Sequence, residues 1–297
     1  MADFCSKGRE NSGRTDSAEF NRLLGNFFAH RMAQAGLWGM GGVVLLVVCG
    51  SILLPYEVGE SNLAAIFSAP SWNHLIGTDE LGRDLLARLI TGVQVSLGIA
   101  LAATFFATLL GCFYGLLAGM GPGWLDKLMM QFLDAVLSIP VLLLVIVSQA
   151  FGESSLLKMI AVIGLASWMG TARIMRTECR RLMQADFIAA AVIGGSSKWR
   201  LAFRHILPNA AAPLLVVVTV SVGQAVLIES TLSFLNLGVP STLPSLGNLL
   251  GNGMSSILSG AWWVVLFPGA MIVLITTSIN LMGDGLRDTV DPKRRNG

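Results

Sequence analysis

Long runs without a charged residue constrain this chain more than any other feature of its sequence. Between Arg31 and Glu57 lie 25 uncharged residues, and between Arg88 and Asp126 lie 37. A helix needs roughly 20 apolar residues to cross a hydrocarbon layer of about 30 Å, so each run is long enough to span a membrane. Charged residues make up only 13% of the chain, which is well below the share in ordinary soluble domains. The sequence therefore predicts an all-α, polytopic membrane protein.

Four further runs bring the expected number of transmembrane helices to six. Three of them are uncharged over 135–152, 205–228 and 230–283. The fourth, Met159–Ala172, has only 14 uncharged residues, but Arg173 and Arg176 beyond its end have side chains long enough to reach the interface. The first helix is expected at Gly36–Leu54. It should stay as an anchor, because the polar residues before it do not resemble a cleavable signal peptide.

The distribution of Lys and Arg predicts the orientation of these spans. If the N-terminus is cytoplasmic, 17 of the 20 Lys and Arg residues fall in the cytoplasmic segments 1–35, 119–134, 173–208 and 283–297. The other three are Arg83, Arg88 and Lys158. Because basic residues accumulate in cytoplasmic loops, both termini are predicted to be cytoplasmic. The net charge of +2 then reflects topology, and we expect no nucleic-acid partner.

Motifs for catalysis, nucleotide binding and metal binding are missing from the sequence. No Gly-Lys pair occurs, which excludes a P-loop, and neither HExxH nor GxSxG is present. The three histidines are isolated and the four cysteines form no CxxC motif; they are His30, His74, His205, Cys5, Cys49, Cys112 and Cys179. We expect no enzymatic activity, cofactor, metal site or disulfide.

Glu229 is the one acidic residue deep within a predicted span. A carboxylate at the centre of a bilayer costs about 2.5–3.5 kcal/mol on insertion scales, so this side chain should face protein or water. It is a candidate for the translocation pathway or for an interhelix lock near a cavity. Alternatively, it accepts hydrogen bonds from Ser or Thr on a neighbouring helix and has no further role.

The segment 185–208 is predicted to form two cytoplasmic helices joined by a turn. Phe187–Ile193 is uniformly apolar, and the three alanines at its centre give a smooth surface that another backbone can approach closely. Gly194 and Gly195 permit the positive φ of a helix end, and Ser196 or Ser197 can cap the next helix.

The second helix of this segment is predicted to be amphipathic. Its apolar stripe contains Trp199, Phe203 and Ile206, and Arg200 and Arg204 form a neighbouring basic row. The helix is expected to break at Leu207-Pro208, before the next span. This pattern fits equally well a hairpin lying on anionic lipid and a docking surface for a cytoplasmic protein.

The same segment resembles the EAA loop of ABC importer permeases, which reads EAA-x3-G-x9-I-x-LP. The residues in register are Ala190, Ala191, Gly195, Leu207 and Pro208. Ala189 stands where the family usually has Glu, and His205 where it usually has Ile. The resemblance implies that 186–208 docks in a groove of an ATPase subunit and couples it to the spans. The coupling residues would be Asp186, which is a candidate substitute for the missing carboxylate, Ala189, Ala190, Ala191, Gly194, Gly195, Arg200, Arg204, Leu207 and Pro208.

Three further stretches resemble signatures of the oligopeptide, dipeptide and nickel class of these permeases. They are HLIGTDELGRDLLARLITGVQVSLG (74–98), ESTLSFLNLGVP (229–240) and WWVVLFPGAMIVLITTSINLMGDGLRDTVDP (262–292). Residues that differ from the usual ones are Ala87, Gln94 and Leu246.

In the first stretch, leucines at 81, 85 and 89 predict a helix at the outer membrane face. Its polar side, available to a binding protein, would carry Asp79, Glu80, Arg83 and Asp84. A local, salt-bridged cap at the outer rim of the pore is the alternative.

The resemblance implies the type I ABC importer transmembrane fold in a bacterial inner membrane. The expected domains are a cytoplasmic segment (1–35), an anchor helix with an external segment (36–91), the permease domain (92–284) and a cytoplasmic tail (285–297). The implied partners are a second permease, two ATP-binding subunits that hydrolyse the ATP, an extracytoplasmic solute-binding protein and membrane lipid. The cargo would be short peptides, with nickel, metal chelates or another small solute as the alternative.

Two other functions are considered from the residues. A transporter driven by an ion gradient should show an inverted repeat and several polar groups at the membrane midplane, whereas this chain has a single deep acid and no detectable repeat. A non-transporting membrane anchor would use the 186–208 segment but would need neither the external stretch nor Glu229.

Overall fold

The computed structural model describes residues 28, 30–53, 59, 61–150, 155–240 and 242–290. Cys5, most of the predicted cytoplasmic segment 1–35 and the part of the tail at 291–297 lie outside the described residues.

The described residues form helices joined by short turns and loops. The helices are α1 (Arg31–Leu53), α2 (Leu85–Met120), α3 (Gly123–Leu137), α4 (Val141–Ala150), α5 (Leu156–Met183), α6 (Asp186–Ile193), α7 (Lys198–Arg200), α8 (Leu207–Asn209), α9 (Ala211–Phe234), α10 (Leu246–Gly253) and α11 (Trp263–Val290). A π-helical segment (Leu201–Ile206) lies between α7 and α8, and short 3₁₀ turns lie at Leu63–Ala65 and Met254–Ile257. No strand occurs in the described part of the chain, which has only the isolated bridge between Thr78 and Asp84. The predicted all-α class is confirmed.

Five helices, α1, α2, α5, α9 and α11, are long and apolar enough to cross a membrane. The run 135–152, expected as a further span, contains only the end of α3 together with α4, and most of α3 lies in the predicted cytoplasmic segment 119–134. α3 and α4 are bent by 77° relative to each other, so the described residues contain a sixth span only if this pair crosses as one unit. Pro140 stands at the bend; it has no N–H to continue the hydrogen-bond ladder and disfavours helical backbone at Ile139. The weakest run in the sequence belongs to a 28-residue helix, α5, which continues past Arg173 to Met183.

The centre of the bundle is the contact between α2 and α5. Gly111, Gly115 and Gly119 lie four positions apart on α2 and face α5. A Cβ at Gly115 would stand 2.5 Å from the carbonyl oxygen of Ala172, so only glycine permits this approach. Small residues at such spacing let membrane helices pack backbone to backbone, and α2 and α5 consequently form one closely packed unit.

α1 packs against α11 by the same means. A Cβ at Gly36 would lie 2.5 Å from the carbonyl oxygen of Ser278, and one at Gly39 would overlap the hydroxyl of that serine. The opposite side of α1 is exposed and apolar, with Trp38 and Leu45 at its surface. α1 therefore packs on the bundle at α11 and leaves its other side exposed.

Candidate functional site

The hairpin 186–209, formed by α6, the turn after it, α7, the π-helical segment and α8, is attached to the bundle on one side. Ile188, Leu201 and Ile206 are buried in a cluster with Met175, Cys179 and Leu182 of α5. Ala189 and Ala190 face outwards, and the side chain of Ile193 is 89% exposed. This exposed apolar surface beyond the end of α5 is suited to a partner that covers it.

The turn of the 186–209 hairpin has the geometry of a Schellman motif. The N–H of Ser196 donates to the carbonyl of Ala191 (3.0 Å), and that of Gly195 donates to the carbonyl of Val192 (3.0 Å). Gly195 has φ +78°, as predicted, whereas Gly194 has φ −70° and an ordinary backbone. The predicted cap is Ser197, whose hydroxyl accepts from the N–H of Arg200 at 3.3 Å.

The predicted stripe on the second helix is wrong in one member. Trp199 and Phe203 are 61% and 56% exposed and stack with ring centroids 5.9 Å apart, but Ile206 is buried. The backbone there is π-helical, so the faces no longer follow the 3.6-residue period assumed from the sequence. Pro208 also does not end the helix. It lies inside α8, where its missing N–H cannot bond to Arg204, and the helical path is interrupted only at Ala210.

Asp186, Arg200 and Arg204 are all exposed on the 186–209 hairpin. None of the ion pairs among the described residues involves them. Their charges are thus available for contact with another molecule, in a region where Ala189 contributes none.

An ionic cluster that the sequence analysis missed joins α3 to α5 close to this hairpin. Asp126 is buried, and Arg176 binds it through two hydrogen bonds of 2.8 and 2.6 Å. Arg180, one turn further on, lies 2.7 Å from the same carboxylate. Two features of the sequence could have indicated this cluster: Asp126 ends the uncharged run 89–125, and Arg176 and Arg180 are four positions apart and so lie on one face of a helix. The cluster fixes α3 to the part of α5 that carries the hairpin.

A cleft of about 840 Å³ opens between α5, α9, α11 and the bend between α3 and α4. Its wall is mostly aliphatic, with Gln224 of α9 among the polar side chains, and Arg173, Asp284 and Arg287 are its charged residues. Its volume lies in the range of sites for small organic molecules. Sequence reasoning did not identify these residues, because a cleft between three helices leaves no local motif.

Glu229 is fully buried and is not among the residues that line the cleft. Its carboxylate accepts hydrogen bonds from the hydroxyls of Ser233 (2.8 Å) and Ser230 (3.3 Å), and side-chain hydrogen bonds also reach it from Ser96 and Ser245. Ser96 belongs to α2 and Ser245 caps α10. The carboxylate thereby connects α2, α9 and the start of α10.

Residues 74–84 form a folded, salt-bridged cap, which is the alternative considered from the sequence, and the helix begins only at Leu85. Asp84 accepts from the N–H of Ala87 (2.9 Å) as the N-cap of α2, and His74 lies 3.0 Å from its other oxygen. The indole N–H of Trp263 donates to the carbonyl of Thr78 at 3.2 Å. The cap is therefore attached to the start of both α2 and α11.

The carboxylate of Asp79 holds the middle of this cap together. It accepts from the backbone N–H groups of Leu81 (2.9 Å) and Arg83 (3.0 Å) and pairs with the side chains of Arg83 and Arg88. Burial alone would raise the pKa of Asp79, but these hydrogen bonds and the two guanidinium charges outweigh it and lower the pKa. Asp79 and Asp84 are buried, and Glu80 and Arg83 remain partly exposed.

Comparison with known proteins gives consistent matches over most of the chain. The model of the family described as "binding-protein-dependent transport system inner membrane component" matches residues 111–296. The di/tripeptide transport system permease protein DppC of Pseudomonas aeruginosa is 37% identical over 278 residues, which cover 91% of this chain and 91% of that protein. The dipeptide transport system permease protein DppC of Bacillus subtilis is 34% identical, over 90% of this chain and 83% of its own.

Among solved structures, an inward-facing conformation of the MetNI methionine ABC transporter matches with a TM-score of 0.56 and 19% identity. The match covers 69% of this chain and 97% of the solved chain. At this identity the likeness shows a shared fold, the type I ABC importer transmembrane fold expected from the sequence.

Proposed function

The chain belongs to the family of binding-protein-dependent transport system inner membrane components, and on that basis we propose that it forms half of the translocation pathway of an importer for short peptides. The observation that carries the proposal is the combination on one chain of the cleft and the exposed 186–209 hairpin, both attached to α5. Relatives named as peptide permeases, aligned over most of both chains, support peptides as the cargo.

The proposed assembly contains a second permease of the same family, two ATP-binding subunits and an extracytoplasmic solute-binding protein. The cleft would be closed by the second permease, since it is open on one side in this chain. Both termini would be cytoplasmic, which follows from the 17 basic residues in the segments assigned to that side. The boundaries expected from the sequence, with the permease domain at 92–284, are kept in this proposal.

The 186–209 hairpin is proposed to receive the motion of the ATPase subunits. Apolar contact would come from Phe187, Ile193 and the stacked pair Trp199–Phe203, all of which are exposed. Because Ala189 offers no charge, the ionic part of the contact falls to Asp186, Arg200 and Arg204. Ala190, Ala191, Gly194, Gly195, Leu207 and Pro208 maintain the shape of the docking surface.

Transport then follows from a bundle with two states. Closure of the ATPase subunits on ATP would favour an outward-facing state, and their opening after hydrolysis would favour the inward-facing one, because the hairpin is docked differently in each. This chain supplies the pathway and the coupling, and hydrolysis occurs in the partner subunits.

Two further assignments complete the proposal. Glu229 acts as an interhelix lock through its hydroxyl partners on α2, α9 and at the start of α10, rather than as a lining of the pathway. At the outer face, Glu80 and Arg83 meet the binding protein, while Asp79 and Asp84 keep the cap in shape for that contact.

The experiment is uptake of a labelled dipeptide into proteoliposomes that contain both permeases and the ATPase subunits. Uptake should require ATP on the side of the ATPase subunits and a loaded binding protein on the other. Uptake driven by a proton or sodium gradient without the ATPase subunits would overturn the proposal. Uptake of nickel ions but of no peptide would overturn the choice of cargo.

A further inference from the structure

The charged residues of the cleft include two of opposite sign, one turn apart on α11. Asp284 and Arg287 are both exposed to the cleft. Neither takes part in any ion pair or side-chain hydrogen bond among the described residues, whereas Arg173, on the facing helix α5, is already paired with Asp134. Side chains three positions apart on a helix are neighbours, about 5–6 Å apart at Cβ. The pair thus presents one negative and one positive group to a molecule in the cleft.

Gln224 lies on α9, the neighbouring wall of the cleft, about one turn from Asp284 on the side away from Arg287. Glycine contacts give the register of α9 against α11, since a Cβ at Gly283 would meet Val220 and one at Gly223 would meet Asn280. The amide of Gln224 is exposed in the cleft and makes no hydrogen bond within the described part of the chain. It offers one acceptor and two donors to a polar group of a bound molecule.

We propose that the cleft holds a zwitterionic peptide during its passage, with Arg287 binding the terminal carboxylate and Asp284 the terminal ammonium, while Gln224, beyond Asp284, meets a side chain of the cargo. This rests on the proposed function and specifies the chemical class of its cargo. The two charged side chains, about 5–6 Å apart at Cβ, suit the termini of a dipeptide, whose backbone extends by about 3.3–3.6 Å per residue. The aliphatic remainder of the wall accepts varied side chains without selecting among them.

The same charges disfavour a free divalent cation as the cargo. Among the described residues of the cleft, the unpaired ionic groups are the guanidinium of Arg287 and the carboxylate of Asp284, because Arg173 is paired with Asp134. A guanidinium binds a carboxylate through paired, charge-assisted hydrogen bonds, but it repels a metal ion. The carboxylate of the cargo is therefore the group that this cleft recognises most strongly.

The test is direct binding of dialanine to the complex of both permeases and the ATPase subunits in nanodiscs, without nucleotide or binding protein. Saturation-transfer NMR reports on weak binding of this kind. Arg287→Gln should weaken binding of dialanine about tenfold or more, as expected for loss of a hydrogen bond to a charged group. It should leave binding of dialanine amide unchanged, because the amide lacks the carboxylate. Asp284→Asn should weaken dialanine but not its N-acetyl derivative.

Lys127→Gln is the matched control, since it removes one exposed positive charge of α3 that does not line the cleft. Equal binding of dialanine by Arg287→Gln and by wild type would overturn the inference, as would an equal loss for dialanine and its amide. Absence of dialanine binding by the wild-type complex would overturn it as well. The proposed function fails separately, if wild-type proteoliposomes show no ATP-driven uptake of any peptide.

Discussion

Replacing Gly195 by alanine isolates the backbone cost of the turn in the 186–209 hairpin. Gly195 has φ +78°, and a Cβ added there meets no heavy atom within 4 Å. The substitution therefore acts through the left-handed backbone alone, which costs a residue with a Cβ about 1–2 kcal/mol. Gly194 is the matched control. Its φ of −70° suits alanine, and its added Cβ would lie 3.4 Å from the nearest atom, the carbonyl oxygen of Ala190.

This strain should appear in docking of the ATPase subunits rather than in membrane insertion. In the undocked permease the turn can adopt another backbone conformation and so relieve the strain. α6 stays attached to the bundle meanwhile, because the side chain of Ile188 is buried there. Docking requires the native turn, so up to the full 1–2 kcal/mol is lost from the binding free energy. At about 1.4 kcal/mol per factor of ten, Gly195→Ala weakens docking about 5–30-fold. Gly194→Ala should stay within about twofold of wild type.

The assay is a titration of labelled ATPase subunits onto the permease pair in nanodiscs, with the melting temperature of the pair measured in parallel. The melting temperatures of the two variants should agree, and their dissociation constants should differ. Equal dissociation constants for Gly195→Ala and Gly194→Ala would refute the reasoning, because the two variants differ in backbone strain and in little else.

Three other perturbations test separate parts of the structure. Glu229→Ala should destabilise the permease by about 1–3 kcal/mol in thermal melts, because buried hydroxyls lose their acceptor. Glu229→Gln should melt nearer to wild type but change the uptake rate. A wild-type melting temperature for Glu229→Ala would contradict the role of Glu229 as an interhelix lock. Trp199→Ala should weaken ATPase docking without lowering the melting temperature, whereas Trp72→Ala, at a position outside the 186–209 hairpin that is 96% exposed, should leave docking unchanged. Gly115→Val should abolish stable folding, because its Cβ would stand 2.5 Å from the carbonyl oxygen of Ala172. Gly98→Val, on the same helix, should fold, because a Cβ there meets no atom within 4 Å. Equal yields of folded protein would show that folding does not need the close contact of α2 and α5.

The charge-free runs were enough to predict the long helices, because crossing a bilayer is mainly a matter of length and polarity. They did not predict where a helix ends or bends when a distant contact or a single residue determines it. The helix α5 continues through charged residues since Arg176 finds its partner, Asp126, 50 positions away, and no local window contains both. The bend between α3 and α4 follows from Pro140, which a count of uncharged residues ignores.

The candidate site was predictable to the extent that it is local in sequence. The turn at Gly195 and the cap at Ser197 depend on neighbouring residues; the turn was predicted correctly, and Ser197 is one of the two caps that were predicted. Burial of Ile206 depends on a π-helical register that is set by packing against α5, so the helical period assigned it to the wrong face. The cap at 74–84 was assigned a helix because Leu81, Leu85 and Leu89 have helical spacing, but the buried carboxylate of Asp79 organises a loop there instead.

The close fit between α2 and α5 has a mechanical consequence. A helix of 28 residues is about 42 Å long at 1.5 Å per residue, and α5 carries one wall of the cleft along its middle and the 186–209 hairpin beyond its end. Since the glycines of α2 bring the two helices into close contact and Asp126 joins α3 to α5, we expect these elements to tilt as one rigid unit. A tilt of about 5° displaces the far end of such a unit by roughly 4 Å. In the proposed assembly, movement of the ATPase subunits at the hairpin would therefore move the cleft wall as well, without any bending inside α5.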